Sequence, residues 1–371
     1  MINISEFYDF LEDNRYSIEE KTNYLEMNHD DLNNINLIKQ LFHEVALKAR
    51  DHEIIQVEAL SLSLEGICTA IAAKRFRVSD ALSDVILLTV DHLFDYTKNL
   101  IEQSSNFDAQ LTTNLKYALK ALLQSKDENF EDEIQNVLNV LTSQLLVGNE
   151  GTINNEQIEH SIANISTDND DVQKLVDQTL KAESDLAYFK TLLIELEHRF
   201  PIHEKRGERI LPIALAMNQL ADNPADPIQL EAAIYLHDIA MAFIPDSILF
   251  KTEMLSAKER IVLERHPMIS ADLLKHIGDW DEAATIILQH HEKADGSGYP
   301  KRLDTSEICT GAKIISILDA FDAMTHARSD RSFKKTILRA LSEIVKNTHQ
   351  FDESLTKIFI KIIRSHYGRG Q

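Results

Sequence analysis

From residue 4 to residue 366, apart from one polar stretch, apolar side chains recur three and four positions apart, and nowhere do they alternate over a useful strand length. That period is the signature of amphipathic helices and excludes an open α/β sheet. The clearest case is Leu37, Ile38, Leu41, Phe42 and Val45. Only 10 Gly and 7 Pro punctuate the 371 residues, too few for a turn-rich all-β fold. An all-α protein is therefore expected. Its helices are predicted over about 4–28, 31–50, 54–73, 79–101, 109–124 and 130–146, and again over 172–198, 204–221, 228–242, 256–265, 267–277, 280–291, 311–326, 333–347 and 353–366. Ser79 suits a helix N-cap, and Ser256 with Glu259 has capping-box spacing. Pro267 suits a first helical turn, with His266 at its entrance.

Between the two sets lies 148–171, polar, acidic and poor in large apolar residues, which reads as a linker. The expected organisation is a four-helix bundle over 1–103, a helical extension and linker over 104–171, and a joining helix plus helical domain over 172–371. The joining helix is suited to linking the halves or to forming a homodimer. A formal net charge of −22 disfavours nucleic acid and anionic membrane surfaces as partners. The start, Met-Ile-Asn-Ile-Ser-Glu-Phe, lacks the basic and apolar regions of a signal peptide, and no run of ~20 apolar residues is present to span a membrane. A cytoplasmic location is expected. Cys68 and Cys309 are far apart and read as small buried hydrophobes.

Chemistry concentrates in the C-terminal half. His237-Asp238 closes an apolar helical run, and a buried Asp there is costly unless a cation compensates it. His266-Pro267 stands at a helix boundary, and His290-His291 ends another apolar run, just before the glycine-rich turn Asp295-Gly296-Ser297-Gly298-Tyr299-Pro300. Asp319 lies among Ile315, Leu318 and Phe321 and shares a helix face with Ile315 and Asp322. Four imidazoles and two carboxylates suit a pair of divalent ions with open positions, and a donor set without thiolates fits iron or manganese. Such ions activate water and neutralise phosphate, which points to metal-assisted phosphate-ester hydrolysis.

In order and spacing, His237-Asp238, His266-Pro267, His290-His291-Glu292-Lys293-Ala294-Asp295-Gly296-Ser297-Gly298-Tyr299-Pro300 and Asp319-Ala320-Phe321-Asp322-Ala323-Met324-Thr325 resemble the HD-GYP branch of the HD phosphohydrolases, over about residues 185–371. The resemblance implies an all-helical domain that binds two or three metals, often iron, and hydrolyses cyclic di-GMP to pGpG or GMP. It implies His237, Asp238, His266, His290, His291 and Asp319 as metal ligands, with Asp238 catalytic. It also implies that Gly298, Tyr299, Pro300, Arg328 and Arg331 meet the substrate. Two departures stand out. Met241 replaces the lysine of the family's HD-x-GK segment, and the upstream Glu and His pair is missing, with His203 and Arg199 nearby instead. These leave open a second reading, a metal-binding receptor or signalling scaffold that turns over slowly or not at all. Residues 1–103 resemble histidine phosphotransfer bundles around His43, but Ala46 and Leu47 replace that family's Lys and Gly. This implies a bundle kept for docking a signalling partner or for dimerisation, with His43 unphosphorylated. The GYP loop is a second place for such a partner.

Overall fold

A computed structural model describes residues 4–28, 31–102, 109–143, 169–200, 204–251, 253–326 and 334–367. Among them every regular element is helical, and the one β-contact is an isolated bridge between Asp295 and Asp304. The chain divides into two compact units, Met1–Val147 and Gly148–Gln371.

The first unit contains α1 (Ile4–Met27), α2 (Leu32–Asp51), α3 (Ile55–Ala72), α4 (Asp80–Glu102), α5 (Ala109–Gln124) and α6 (Phe130–Leu141). Helix α2 starts where the Asp31 carboxylate accepts from the amides of Asn33 and Asn34, at 3.0 and 3.1 Å. Helix α4 starts where Ser79 Oγ accepts from Leu82 N. The buried stripe of α2 is Ile35, Ile38, Phe42, Val45 and Ala49. Leu37, expected inside, is exposed, because it is rotated about 100° from Ile38 on the helix. Helices α5 and α6 pack on α3 and α4, so the described residues of the unit form six helices, two beyond the four-helix bundle expected over 1–103. Among the described residues α3 is long and apolar enough to cross a membrane, and Val57, Leu60, Leu64, Ile67 and Ile71 are buried within the unit. Cys68 is buried beside them, and desolvation pushes its thiol up to about 12. His43 lies on α2 with its side chain half exposed, its Nδ1 3.1 Å from Glu65 Oε2 on α3. The stretch expected to be a linker lies largely outside the described residues.

The second unit contains α7 (Asn169–Arg199), α8 (Arg206–Leu220), α9 (Pro227–Leu236), α10 (Asp246–Leu249), α11 (Ala257–Leu263), α12 (His266–Lys275), α13 (Asp281–Gln289), α14 (Thr310–Thr325), α15 (Ile337–Lys346) and α16 (Glu353–Tyr367). Its centre is α9. The Asp226 side chain caps it, Pro227 opens it, and six of its residues from Leu230 onward are buried. A helix buried on every side needs neighbours all round, and α7, α8 and α13 supply them. The continuous helix predicted over 228–242 breaks at Asp238 (φ −103, ψ 7), and a short 3₁₀ segment, Ile239–Phe243, follows. That break turns the Asp238 carboxylate towards the head of α8, and Ala240 N is held by Ser270 Oγ of α12 at 3.1 Å. Ser256 and Glu259 form the reciprocal capping box their spacing predicted.

Candidate metal centre

Three helix ends deliver the histidines. His237 follows α9, His266 opens α12 directly after α11, and His290 follows α13. Each Nδ1 faces a main-chain carbonyl three residues back: Ile234 at 2.9 Å, Leu263 at 2.8 Å and Ile287 at 2.6 Å. A carbonyl only accepts, so each Nδ1 carries the proton and each Nε2 presents a lone pair. All three Nε2 atoms are buried and have no hydrogen-bond partner. Buried acceptors are rarely left so, and three around one point form a donor set. Asp238 joins them, with Oδ1 3.3 Å from His266 Nε2 and 4.0 Å from His290 Nε2, and Oδ2 3.3 Å from His237 Nε2.

Donor atoms of Asp238, His266, His290 and His291 lie within 4.8 Å of one another, and so do those of His237, Asp238 and Asp319. The fold thus brings together all six residues singled out in the sequence. Nitrogen and carboxylate oxygen donors without sulfur fit a divalent transition metal. The protonation states fit as well. Burial pushes His290 well below the usual histidine range, reinforced by the imidazoles of His291, His237 and His266. Burial pushes His291 down to about 3. For Asp238 burial acts the other way, but His237, His266 and Arg206 outweigh it and hold the carboxyl well below its ordinary value. A neutral His290 and a neutral His291 beside an ionised Asp238 are the ligand states a metal requires.

A pH dependence follows for the metal-free protein. An unfolded histidine titrates near 6.5. Between that value and about 3 the unfolded chain binds a proton at His291 that the folded chain refuses. Stability from this source is complete above pH ~6.5 and is lost as pH falls towards 3. Thermal melts in chelator from pH 8 to 4 should show the melting temperature dropping below pH ~6.5, with a shallower drop in His291→Gln. An identical slope in the variant would refute the assignment.

The Asp295–Pro300 loop acts on the centre through His291. Tyr299 N donates to His291 O at 3.2 Å, and the Tyr299 ring stacks on the imidazole at 4.8 Å between centroids and 29° between planes. Gly298 is packed against main chain: a Cβ there would lie 2.5 Å from Glu292 Cα and Lys293 N and 2.6 Å from His291 O. Gly296 has φ +74, in the left-handed region. The buried Glu292 carboxylate accepts from Lys301 N at 2.6 Å and Leu303 N at 3.0 Å and so closes the loop. Pro300 follows a cis peptide bond and lies partly buried.

Sequence reasoning missed the cations. Arg206, 6% exposed, directs Nη1 to Asp238 Oδ2 at 2.7 Å and Nη2 to Asp319 Oδ1, with Nε 3.8 Å from Asp322 Oδ2. Arg209 grips Asp322 with both Nε and Nη2, at 2.8 and 3.1 Å. A signal for Arg206 exists, since it precedes the buried Ile210 and Ala214 at four-residue spacing and therefore points to the core face of α8. Arg199, near the place of the missing upstream pair, is engaged elsewhere, with Asp246 at 2.8 Å and Ala242 O at 2.7 Å. Met241 is partly buried in the 3₁₀ segment. Arg328, Arg331 and His203 lie outside the described residues.

Comparison with known proteins places this geometry. Residues 191–355 match the HD domain family. The cyclic di-GMP phosphodiesterase response regulator RpfG of Xanthomonas campestris pv. campestris is 39% identical over 126 residues, 33% of this chain and 33% of that protein. The 3'3'-cGAMP-specific phosphodiesterase 2 of Vibrio cholerae is 39% identical over 112 residues, 30% of this chain and 21% of that protein. The cyclic di-GMP phosphodiesterase PdeB of Borreliella burgdorferi is 28% identical over 183 residues, 48% of this chain and 47% of that protein. The chain thus spans less than half the length of each of these curated relatives. Residues 191–355 thus carry an HD domain, and its histidines, its aspartates and its intact Gly-Tyr-Pro loop, set around one centre, are similar to those of the HD-GYP branch.

Proposed function

We propose that this chain is a metal-dependent phosphodiesterase that hydrolyses cyclic di-GMP to pGpG or GMP. The observation that carries the reading is the trio of buried, unpartnered Nε2 atoms around the ionised Asp238. Asp238, His266, His290 and His291 are the donors to a divalent ion, iron or manganese, and His237 and Asp319 complete with Asp238 a second donor group, which Arg206 already occupies. The metal, when bound, supplies Lewis-acid polarisation of phosphate and a low pKa for water. The chain's own residues do the rest. Asp238 holds the acidic donors in register, Tyr299 fixes the plane of His291, and Gly298 and Pro300 hold the loop close. Arg328 and Arg331 take the phosphates of the dinucleotide, a task suited to their forked donors. We place the protein in the cytoplasm, with regulation through the N-terminal helical unit. That unit or the loop docks a signalling partner or a second copy of the chain.

Two observations define the rivals. Relatives at 39% identity carry both cyclic di-GMP and 3'3'-cGAMP in their names, so either ring is a substrate to test. Met241 stands where the family's lysine would supply a cation, which favours a slow enzyme or a receptor. The deciding experiment is purification without oxygen in the presence of Fe(II) or Mn(II), metal counting, and product analysis on both dinucleotides. Linear pGpG or GMP from cyclic di-GMP is expected. Fully metallated protein that binds the ring and yields no product would establish the receptor instead.

A further inference from the structure

The number of ions held by the six donors turns on Arg206. We infer that its guanidinium takes the place of a second metal, so that the centre holds one divalent ion at Asp238, His266, His290 and His291. The inference rests on the metal-centre reading of the same residues and fixes its stoichiometry.

Three observations carry it. First, the acidic oxygens of the second donor group are already engaged. Arg206 Nη1 lies 2.7 Å from Asp238 Oδ2, and Nη2 contacts Asp319 Oδ1. A metal bridging those carboxylates would have to share the space with a charge of its own sign, and a guanidinium does not deprotonate to make room. Second, the arginine is anchored from behind. The buried Glu197 carboxylate accepts from Lys205 N at 2.8 Å and from Gly207 N at 3.0 Å, clamping the main chain on either side of Arg206. Gly207 lies so close to Leu193 that a Cβ would sit 2.3 Å from its Cδ2, so the start of α8 is packed directly against α7. Third, the charges leave room for one ion. Arg206 and Arg209 stand against the carboxylates of Asp238, Asp319 and Asp322, two cations to three anions among buried or partly buried groups. The sum is one negative charge; one divalent ion turns it to a single positive charge, whereas a second would leave three positive charges uncompensated in a poorly solvated site.

The test counts metal and does not depend on turnover. Full-length protein is loaded with excess Fe(II) or Mn(II) without oxygen, desalted, and assayed by elemental analysis and by electron paramagnetic resonance. The wild type is expected to retain one equivalent, with no signal from a spin-coupled pair. Arg206→Ala is expected to retain two and to show the coupled signal. Asp319→Asn is expected to stay at one, since Asp319 partners the arginine rather than the ion, and it decides the matter should Arg206→Ala fail to fold. Two equivalents in the wild type, a folded Arg206→Ala that stays at one, or loss of metal from Asp319→Asn would each overturn the arginine's role and leave the phosphodiesterase reading standing. Zero equivalents in the wild type would overturn the metal centre itself, and this inference with it.

Discussion

Asp238→Asn should empty the centre of metal and remove phosphodiester hydrolysis together, by roughly three orders of magnitude or more, equivalent to about 4 kcal/mol of barrier. Asp238 is the one residue common to both donor groups, so no alternative set of four survives its loss. Asparagine keeps the shape but gives up the charge that holds the cation. The fold should tolerate the change. Arg206 keeps its contacts with Asp319 and Asp322, so no buried cation is stranded, and that stranding is what makes breaking an ion pair expensive. The measurement is retained metal per chain beside product formation, with the circular dichroism spectrum as the folding control. A variant that keeps both metal and turnover would remove Asp238 from the centre.

Gly298→Ala should be nearly as damaging, by a different route. The added methyl would meet the main chain of His291, Glu292 and Lys293 at 2.5–2.6 Å, and main chain cannot rotate aside as a side chain can. The loop must lift. In lifting it gives up the Tyr299 amide bond to His291 and the ring stack that fixes the imidazole plane, and it strains the two amides held by Glu292. A stability loss of about 3 kcal/mol is expected, a fall of roughly 6–12 °C in melting temperature for a unit of this size. Metal affinity should drop about 10–100-fold, the usual effect of losing a group that orients a ligand. Gly296→Ala is the comparison. Its Cβ would clear the nearest atom, Arg302 O, by 3.7 Å, so only the φ of +74 is strained and about 1 kcal/mol is at stake. Equal melting temperatures for the two variants would show that close approach is not what Gly298 provides.

The difference between those glycines could not be read from the sequence, where both appear as turn residues. Local patterns were legible. Helical periodicity set most of the elements, the Ser256–Glu259 box marked a start, and charged or imidazole residues in or beside apolar runs marked the six residues that the fold brings together. Quantities that depend on distant segments were not. The helix expected to run to residue 242 stops at Asp238, in the approach to an arginine that precedes it by a full helix and a loop. Arg206 carries no motif of its own; only the packing of α8 beside α9 and α14 brings it to the carboxylates. In the first unit, the fifth and sixth helices look like any amphipathic pair until their partners, α3 and α4, are known.

The histidine Nδ1 bonds have a consequence for how the centre comes apart. The carbonyls of Ile234, Leu263 and Ile287 belong to the last turns of α9, α11 and α13, where carbonyls have no amide left to accept from within the helix. Each imidazole therefore serves as the C-cap of the helix before it and leaves its other nitrogen facing the centre. Fraying any of these three ends would carry away a donor of the proposed centre, Asp238, His266 or His290, so an ion bound there would staple three helix termini at once. Unloading such a centre and unwinding those termini would then be one event.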